Sequence, residues 1–142
     1  MAEDGSTTKN KLTISIVTPD GTVYNQSDVN LTVLDTSIGQ MGIMANHVPI
    51  VVALKISQMR IYRGEKEDLY TVNGGFAEFS NNVLTVVADS AENAEDIDVN
   101  RAHAAEQRAK ARAQNAKTAD ERARARVALA RAINRINTSK VR

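Results

Sequence analysis

Polar and apolar residues alternate along the first part of the chain. Leu12, Ile14 and Ile16 would point to one side of an extended strand, and Thr13 and Ser15 to the other. Further runs rich in β-branched and aromatic residues follow at intervals of about ten residues, at 31–34, 56–62, 69–72, 76–79 and 83–87. Strands this short and this evenly spaced predict an antiparallel β-sandwich or a flattened barrel.

Turn-forming residues separate these strands. Pro19-Asp20-Gly21 predicts a turn, because proline presets φ and glycine accepts a positive φ. Similar breakers occur at 64–65, 73–75 and 80–82. All seven glycines and both prolines precede residue 76, so the turn-rich part of the chain is confined to its first 75 residues.

The spacing of apolar residues changes to three and four after residue 98, which predicts helices over 99–116 and 119–137. Between them, Thr118-Ala119-Asp120-Glu121 has the pattern of a capping box. Because the break is short, we expect an antiparallel hairpin. Its facing seams would consist of Ala102, Ala105, Ala109, Ala113 and Ala116 on one helix and Ala125, Leu129, Ala132, Ile133 and Ile136 on the other.

An acidic segment at 91–98 joins the two parts and is predicted as a solvated linker that ends in a helix cap. It lacks the glycine and the ligand spacing of a calcium-binding EF-hand loop. The predicted organisation is therefore a disordered N-terminus at 1–10, a β-sandwich at 11–90, the linker, and a helical hairpin at 99–142.

Charge divides at the same place. Residues 1–98 carry 6 basic and 14 acidic side chains, for a net charge of −8, whereas residues 99–142 carry 12 and 3, for a net charge of +9. A basic helical arm attracts an anionic partner, which could be a phosphate ligand, nucleic acid or an acidic protein surface.

Five arginines fall on one side of the predicted hairpin. In an antiparallel pair Arg108 would lie level with Arg124, and Arg101 level with Arg131 and Arg135. Guanidinium groups so close together repel one another unless an anion bridges them, and their planar forks suit phosphate oxygens. The alternative is that these arginines form an ordinary solvated face.

Composition excludes several classes of protein. The chain has no cysteine, which removes disulfides and thiolate chemistry, and no apolar run approaches the roughly 18 residues of a membrane span. The first residues lack the features of a signal peptide, so we expect a cytosolic chain without direct membrane insertion. No nucleophile, base and orienting residue can be assembled, which argues against an enzyme.

The segment Ile97-Asp98-Val99-Asn100-Arg101-Ala102 resembles the I/L-D-x-x-R-A motif of the ATP-binding ε subunits of bacterial F-type ATP synthases. The sandwich region is similar to that family in order and spacing, at 18–21, 39–49, 72–76 and 87–89. Residues 130–136 also resemble the last helix of the family. The resemblance covers about residues 11–137.

The resemblance implies a ten-stranded β-sandwich that sits on the rotor against the γ subunit and the ring of c subunits. It implies a C-terminal hairpin that binds ATP when closed, as a regulatory ligand and not as an obligatory cofactor. When extended, the hairpin would reach acidic surfaces of the catalytic α/β head and restrain ATP hydrolysis. Such a subunit is non-catalytic, binds no metal, and works at the cytoplasmic face of the cell membrane in coupling proton translocation to ATP synthesis.

The motif also implies site residues. In the ATP-binding set, Ile97, Asp98, Arg101 and Ala102 would hold the adenine end of the nucleotide, with Glu92 just ahead of them. The phosphate side of the set would be completed by Arg108, Arg124, Arg131 and Arg135. The rotor-interface set would be Gly39, Gln40, Met41, Gly42 and His47, in a glycine-rich turn. Gln40 departs from the family, since many relatives carry a carboxylate there that is thought to face the c ring.

Three alternatives remain open in the sequence. His47 invites a metal or catalytic role, but its sequence neighbours offer no second ligand, so a role at an interface is favoured. Met41 and Met44 could form an adaptable protein-binding surface or could fill the core. A β-barrel nucleic-acid-binding module with a basic arm is the competing function, although the acidic body would repel a phosphate backbone.

Overall fold

The computed structural model describes residues 10–141, which divide into two compact units, with the boundary in the sequence between Glu92 and Asn93. The first unit is a β-sandwich and the second a helical hairpin, so the predicted fold class is confirmed. The predicted N-terminal segment lies outside the described residues except for Asn10. The ten strands are β1 (Leu12–Thr18), β2 (Gly21–Val29), β3 (Leu31–Thr36), β4 (Gly39–Met44), β5 (Ile50–Ala53), β6 (Ile56–Arg63), β7 (Lys66–Asn73), β8 (Gly75–Ser80), β9 (Val83–Ala88) and β10 (Ala91–Asn93).

The strands form two five-stranded sheets. One has the order β2-β1-β9-β8-β5 and the other the order β10-β7-β6-β3-β4. Most neighbouring strands pair antiparallel, but β1 and β9 run parallel, which the sequence pattern did not indicate. The core between the sheets takes alternate residues of the central strands, including Leu12, Ile14, Ile16, Phe79 and Leu84. Each such side chain contributes roughly 1.5–3 kcal/mol through burial.

Four strands that the sequence pattern missed, β2, β4, β5 and β10, are the four edge strands of the two sheets. Each buries few side chains: β2 buries Tyr24 and Val29, β4 only Ile43, β5 only Val52, and β10 none. An edge strand pairs on one side only, so its sequence need not show strong apolar alternation.

Two hairpins in the sandwich share one turn design. Thr18 and Thr36 end β1 and β3, and each accepts a backbone N–H two residues later and donates its hydroxyl to the carbonyl of a glycine three residues later. Those glycines, Gly21 and Gly39, have φ of 121° and 122°, where glycine is favoured. The prediction of a turn spanning Gly39 to Gly42 is therefore wrong: the turn is at residues 37–38, and Gly39 already belongs to β4.

The second unit consists of α1 (Val99–Asn115) and α2 (Ala119–Val141). The predicted seams are buried at Ala102, Ala109, Ala125, Ala132 and Ile136. Ile133, predicted in the seam, is instead 39% exposed, because it follows the buried Ala132 by one residue and so turns away from it. The Thr118 hydroxyl caps α2 by accepting from the N–H of Glu121 at 3.1 Å, while the Glu121 carboxylate accepts from the N–H of Lys117.

The residues predicted as a linker, 91–98, carry regular structure. They comprise β10, a 3₁₀ turn at Ala94–Asp96 and the cap of α1. The side chain of Asn93 accepts from the N–H of Glu95 at 2.9 Å and so starts the 3₁₀ turn. Polar side chains in this segment thus bond to local backbone groups, which composition alone did not distinguish from solvation.

Candidate functional site

The motif at the start of α1 is organised around Asp98. Its Oδ1 accepts from the N–H of Arg101 at 3.0 Å, and its carbonyl accepts from the N–H of Ala102 at 3.0 Å. This is N-cap geometry, with a carboxylate at the positive end of the helix dipole. Ile97 and Ala102 are buried, so the motif residues are held in place before any ligand arrives.

The five predicted arginines differ in exposure. Arg101, Arg108 and Arg124 are exposed, whereas Arg131 and Arg135 are partly buried and the Nε atom of Arg131 is fully buried. Within residues 10–141, no carboxylate forms an ion pair with Arg101, Arg108 or Arg124. The positive charge of these three side chains is therefore not neutralised inside the described chain.

Two clefts collect some of these arginines. One, of about 370 Å³, is lined by Ala123, Arg124, Val127, Ala128 and Arg131. The other, of about 350 Å³, lies at the bend between the helices and is lined by Arg112, Asn115, Ala116, Glu121, Arg124 and Ala125. We call the second one the bend cleft. Arg124 lines both clefts, together with Arg112 in the bend cleft and with Arg131 in the other cleft.

Arg101, Arg108 and Arg135 do not line these two clefts. Glu92 lies in β10 of the sandwich unit, where its carbonyl accepts from the Thr71 hydroxyl at 3.4 Å. The roles of these residues toward a nucleotide stay predictions. Arg112 is missing from the predicted set, although its helical spacing from Arg108 could have indicated it.

The predicted rotor-interface residues lie on edge strand β4 and the loop after it. Gly39, Gln40 and Gly42 are exposed, while Met41 packs against the core. Met44 is 60% exposed and Ile38, at the tip of the hairpin, is 77% exposed. Met41 therefore fits the prediction that these methionines fill the core, whereas Met44 fits the prediction of a protein-binding surface.

His47 is positioned by its neighbours. Its Nδ1 donates to the carbonyl of Val48 at 2.7 Å, and its ring meets that of Phe79 edge to face, with centroids 5.8 Å apart. The preceding Asn46 has φ of 69° and donates its N–H to the side chain of Asn82 at 2.6 Å. Among the described residues no group of three or more His, Cys, Asp or Glu has the arrangement of a metal site.

An apolar row that sequence reasoning missed crosses the outer face of the sheet that contains β1. Paired residues place Ala53, Phe76, Val87 and Val17 side by side on β5, β8, β9 and β1. Phe76 is 46% exposed, and nearby Val51 is 68% exposed. The signal in the sequence is that β9 carries apolar residues on both of its faces, as in a strand covered on both sides.

Comparison with known families decides the assignment. The model described as "ATP synthase, Delta/Epsilon chain, beta-sandwich domain" matches residues 11–94, and the one described as "ATP synthase, Delta/Epsilon chain, long alpha-helix domain" matches residues 95–140. The chain belongs to this family. The resemblance to ATP synthase ε subunits is thereby confirmed, ATP binding by the hairpin stays a prediction, and the nucleic-acid-binding alternative loses its support.

Relatives in the delta/epsilon family are similar over nearly their whole length. The ATP synthase epsilon chain of Levilactobacillus brevis is 58% identical over 132 residues, which cover 91% of this chain and 94% of the relative. That of Pediococcus pentosaceus is 52% identical over 132 residues, which cover 91% and 95%.

Solved structures share the fold. A chain of the Euglena gracilis mitochondrial ATP synthase, in a structure of OSCP, F1 and the c-ring, has a TM-score of 0.76 at 23% identity and covers 100% of this chain and 88% of that one. A chain of the Tetrahymena thermophila mitochondrial ATP synthase central stalk and c-ring has a TM-score of 0.65 at 15% identity and covers 94% and 99%. Among the described residues, no helix has the length and apolar character needed to span a bilayer.

Proposed function

We propose that this chain is a non-catalytic central-stalk subunit of an F-type ATP synthase whose helical hairpin binds ATP when closed and restrains ATP hydrolysis when extended. Family membership supports the stalk assignment. The observation that carries the regulatory part is the set of arginines on the hairpin, three of which have no ion-pair partner within residues 10–141.

The closed hairpin is weakly held by its own packing. Its seam consists mainly of alanines, and each buried methyl contributes about 0.8 kcal/mol, which the ordering of side chains offsets in part. A polyanion between the arginines would remove their mutual repulsion and add charge-assisted hydrogen bonds. A ligand that binds only the closed form stabilises it by about 2.7 kcal/mol at a hundredfold excess over Kd.

The sandwich unit would attach the chain to the rotor. The solved relatives belong to ATP synthase complexes that include the c-ring and, in Tetrahymena thermophila, the central stalk. The tip of the β3–β4 hairpin, with Ile38 and Gln40, offers one exposed contact for the c ring, and the apolar row through Phe76 and Val87 suits the γ subunit. The extended arm, with its excess of arginine, would meet acidic surfaces of the catalytic α/β head. The subunit would then lie at the cytoplasmic face of the cell membrane without entering it, and would help couple proton translocation to ATP synthesis.

Truncation tests the regulatory part of this proposal. A chain ending after residue 98 keeps the sandwich unit and lacks both helices. In complexes reconstituted with γ and the catalytic head, we expect it to assemble as the full chain does but to leave ATP hydrolysis unrestrained. Hydrolysis that stays equally restrained by the truncated chain would contradict the regulatory role, and failure to assemble would contradict the attachment through the sandwich.

A further inference from the structure

Arg112 lies directly before a seam residue, as do the five predicted arginines. Each of the five directly precedes a buried residue: Arg101 before Ala102, Arg108 before Ala109, Arg124 before Ala125, Arg131 before Ala132 and Arg135 before Ile136. Arg112 likewise precedes the partly buried seam residue Ala113. One residue is about 100° of helical turn, so arginines that precede the seam all lie on the same flank of their helix.

The two helices therefore carry the same arginine spacing. Arg101, Arg108 and Arg112 are seven and four residues apart on α1, and Arg124, Arg131 and Arg135 are seven and four apart on α2. In an antiparallel pair these flanks fall on the same side of the hairpin. Arg122 and Arg126, in contrast, each precede an exposed residue and line neither cleft.

The bend cleft confirms that Arg112 and Arg124 share one space. Arg112 is exposed, and no carboxylate within residues 10–141 forms an ion pair with it. Glu121 also lines the cleft, but its Oε2 accepts from the backbone N–H of Lys117 at 2.9 Å, an interaction that orients this carboxylate toward the start of α2. Two arginines thus line a cleft whose one carboxylate already accepts a backbone hydrogen bond.

We propose that Arg112 is a further phosphate-binding residue that, with Arg124, receives the terminal phosphate of a nucleoside triphosphate and helps distinguish it from a diphosphate. This inference rests on the proposed ATP binding. At 1.5 Å per residue, Arg108 lies about 10 Å and Arg112 about 16 Å beyond Arg101 along the α1 axis. A nucleotide whose base lies at the motif 97–102 reaches Arg112 last, so the group it meets there is the outermost phosphate.

The test is calorimetric titration of the full-length chain and its variants with ATP and with ADP. Arg112→Ala and Arg112→Gln remove the guanidinium at an exposed helical position, where alanine is a good helix former. Arg126→Ala is the matched control, because it removes the same charge from the opposite flank of α2. Circular dichroism confirms that helix content is retained.

We expect both Arg112 variants to weaken ATP binding about tenfold or more and ADP binding much less, while Arg126→Ala changes neither by more than about twofold. If the wild-type chain binds ATP but the Arg112 variants lose no more affinity than Arg126→Ala, the inference is wrong and the proposed function stands. Equal losses toward ATP and ADP would also overturn it, because Arg112 would not be reading the terminal phosphate. A wild-type chain that binds no ATP would contradict the proposed function together with this inference.

Discussion

The hydroxyl of Tyr24 donates a 2.6 Å hydrogen bond to Oδ2 of Asp68 and so joins the two sheets of the sandwich. Tyr24 lies on edge strand β2 of one sheet and Asp68 on β7 of the other. The Nε of Arg63 donates to the same oxygen at 2.8 Å. Burial alone would raise the pKa of Asp68, but the hydrogen bonds from Arg63 and Tyr24 outweigh it and hold that pKa below its ordinary value.

The low pKa of Asp68 makes this cross-sheet contact sensitive to acid. A lowered folded-state pKa contributes stability that is present above the unfolded pKa of about 3.9 and is lost as pH falls through the folded value. We expect Asp68→Asn to lower the free energy of unfolding by about 1–3 kcal/mol at neutral pH, with the difference shrinking toward low pH. Urea unfolding at a series of pH values measures this. Glu67→Gln, on the more exposed pair with Arg60, is the control, and an equal effect of both changes would contradict the assignment.

The ionisation of Tyr24 affects stability at alkaline pH, whereas that of Asp68 affects it at acidic pH. Burial, followed by the hydrogen bond to Asp68, raises the pKa of Tyr24 above its ordinary value. Its contribution to stability is therefore present below the unfolded pKa of about 10 and is lost as pH rises further. Tyr24→Phe should lose less stability than wild type between neutral pH and alkaline conditions in the same unfolding experiment. Parallel alkaline profiles would show that Tyr24 ionises equally in the folded and unfolded chains.

Alanine substitutions at two glycines, Gly75 and Gly42, should differ in their effect on stability. At Gly75, φ is +108° and an added Cβ would lie 2.0 Å from the carbonyl oxygen of Val87, whereas at Gly42 the nearest atom is a side-chain carbon of Leu31 at 3.5 Å. We expect Gly75→Ala to lower the free energy of unfolding by at least about 2 kcal/mol and so to lower the melting temperature strongly. Gly42→Ala should leave both nearly unchanged. Similar melting temperatures for the two variants would contradict the close contact between Gly75 on β8 and the Val87 carbonyl on β9.

The cap at Asp98 can be separated from its proposed ligand role. Asparagine caps a helix as well as aspartate, so Asp98→Asn should keep the stability of α1, while Asp98→Ala should lose about 1 kcal/mol. If the carboxylate also contacts the nucleotide, both variants weaken ATP binding. Thermal unfolding and ATP titration of the two variants provide the two readouts, and normal ATP binding by Asp98→Asn would limit Asp98 to the cap.

The apolar row predicts a loss of γ binding without a loss of folding. Val51 and Phe76 are 68% and 46% exposed, so Val51→Ser and Phe76→Ser remove little packing from the sandwich itself. Together they should weaken association with the γ subunit by about tenfold or more, since a buried Val or Phe contributes roughly 1.5–3 kcal/mol. Val23→Ser, on the far edge strand β2, is the control in the same binding assay. Undiminished binding by the double variant would remove this row from the proposed interface.

The sequence predicted the interior of each unit better than its margins. Central strands such as β1, β6 and β9 bury one face in the core. This is why apolar residues alternate with polar ones at Leu12, Ile14 and Ile16. Edge strands such as β4 face solvent on one side and bury a single residue, Ile43, so no pattern is imposed on them. For the same reason the turn before Gly39 was misplaced.

The hairpin shows the same limit at its site. The capping residues Asp98 and Thr118 and the seam alanines follow from local chemistry and helical period, and all were predictable. Arg112 was not assigned, because a family motif names only the positions that it contains. The cleft that Arg112 shares with Arg124 depends on how the two helices meet at the bend, which is a tertiary relationship.

In the proposed function, the arginines of the closed hairpin bind ATP. Calorimetric titration of the full-length chain with ATP tests it most directly, with Arg101→Ala and Arg135→Ala as site variants and Arg126→Ala as the charge-matched control. We predict saturable one-to-one binding that each site variant weakens about tenfold to a hundredfold and the control leaves unchanged. Absence of binding at millimolar ATP, or equal loss in all three variants, would contradict the account and assign the arginines to protein surfaces instead.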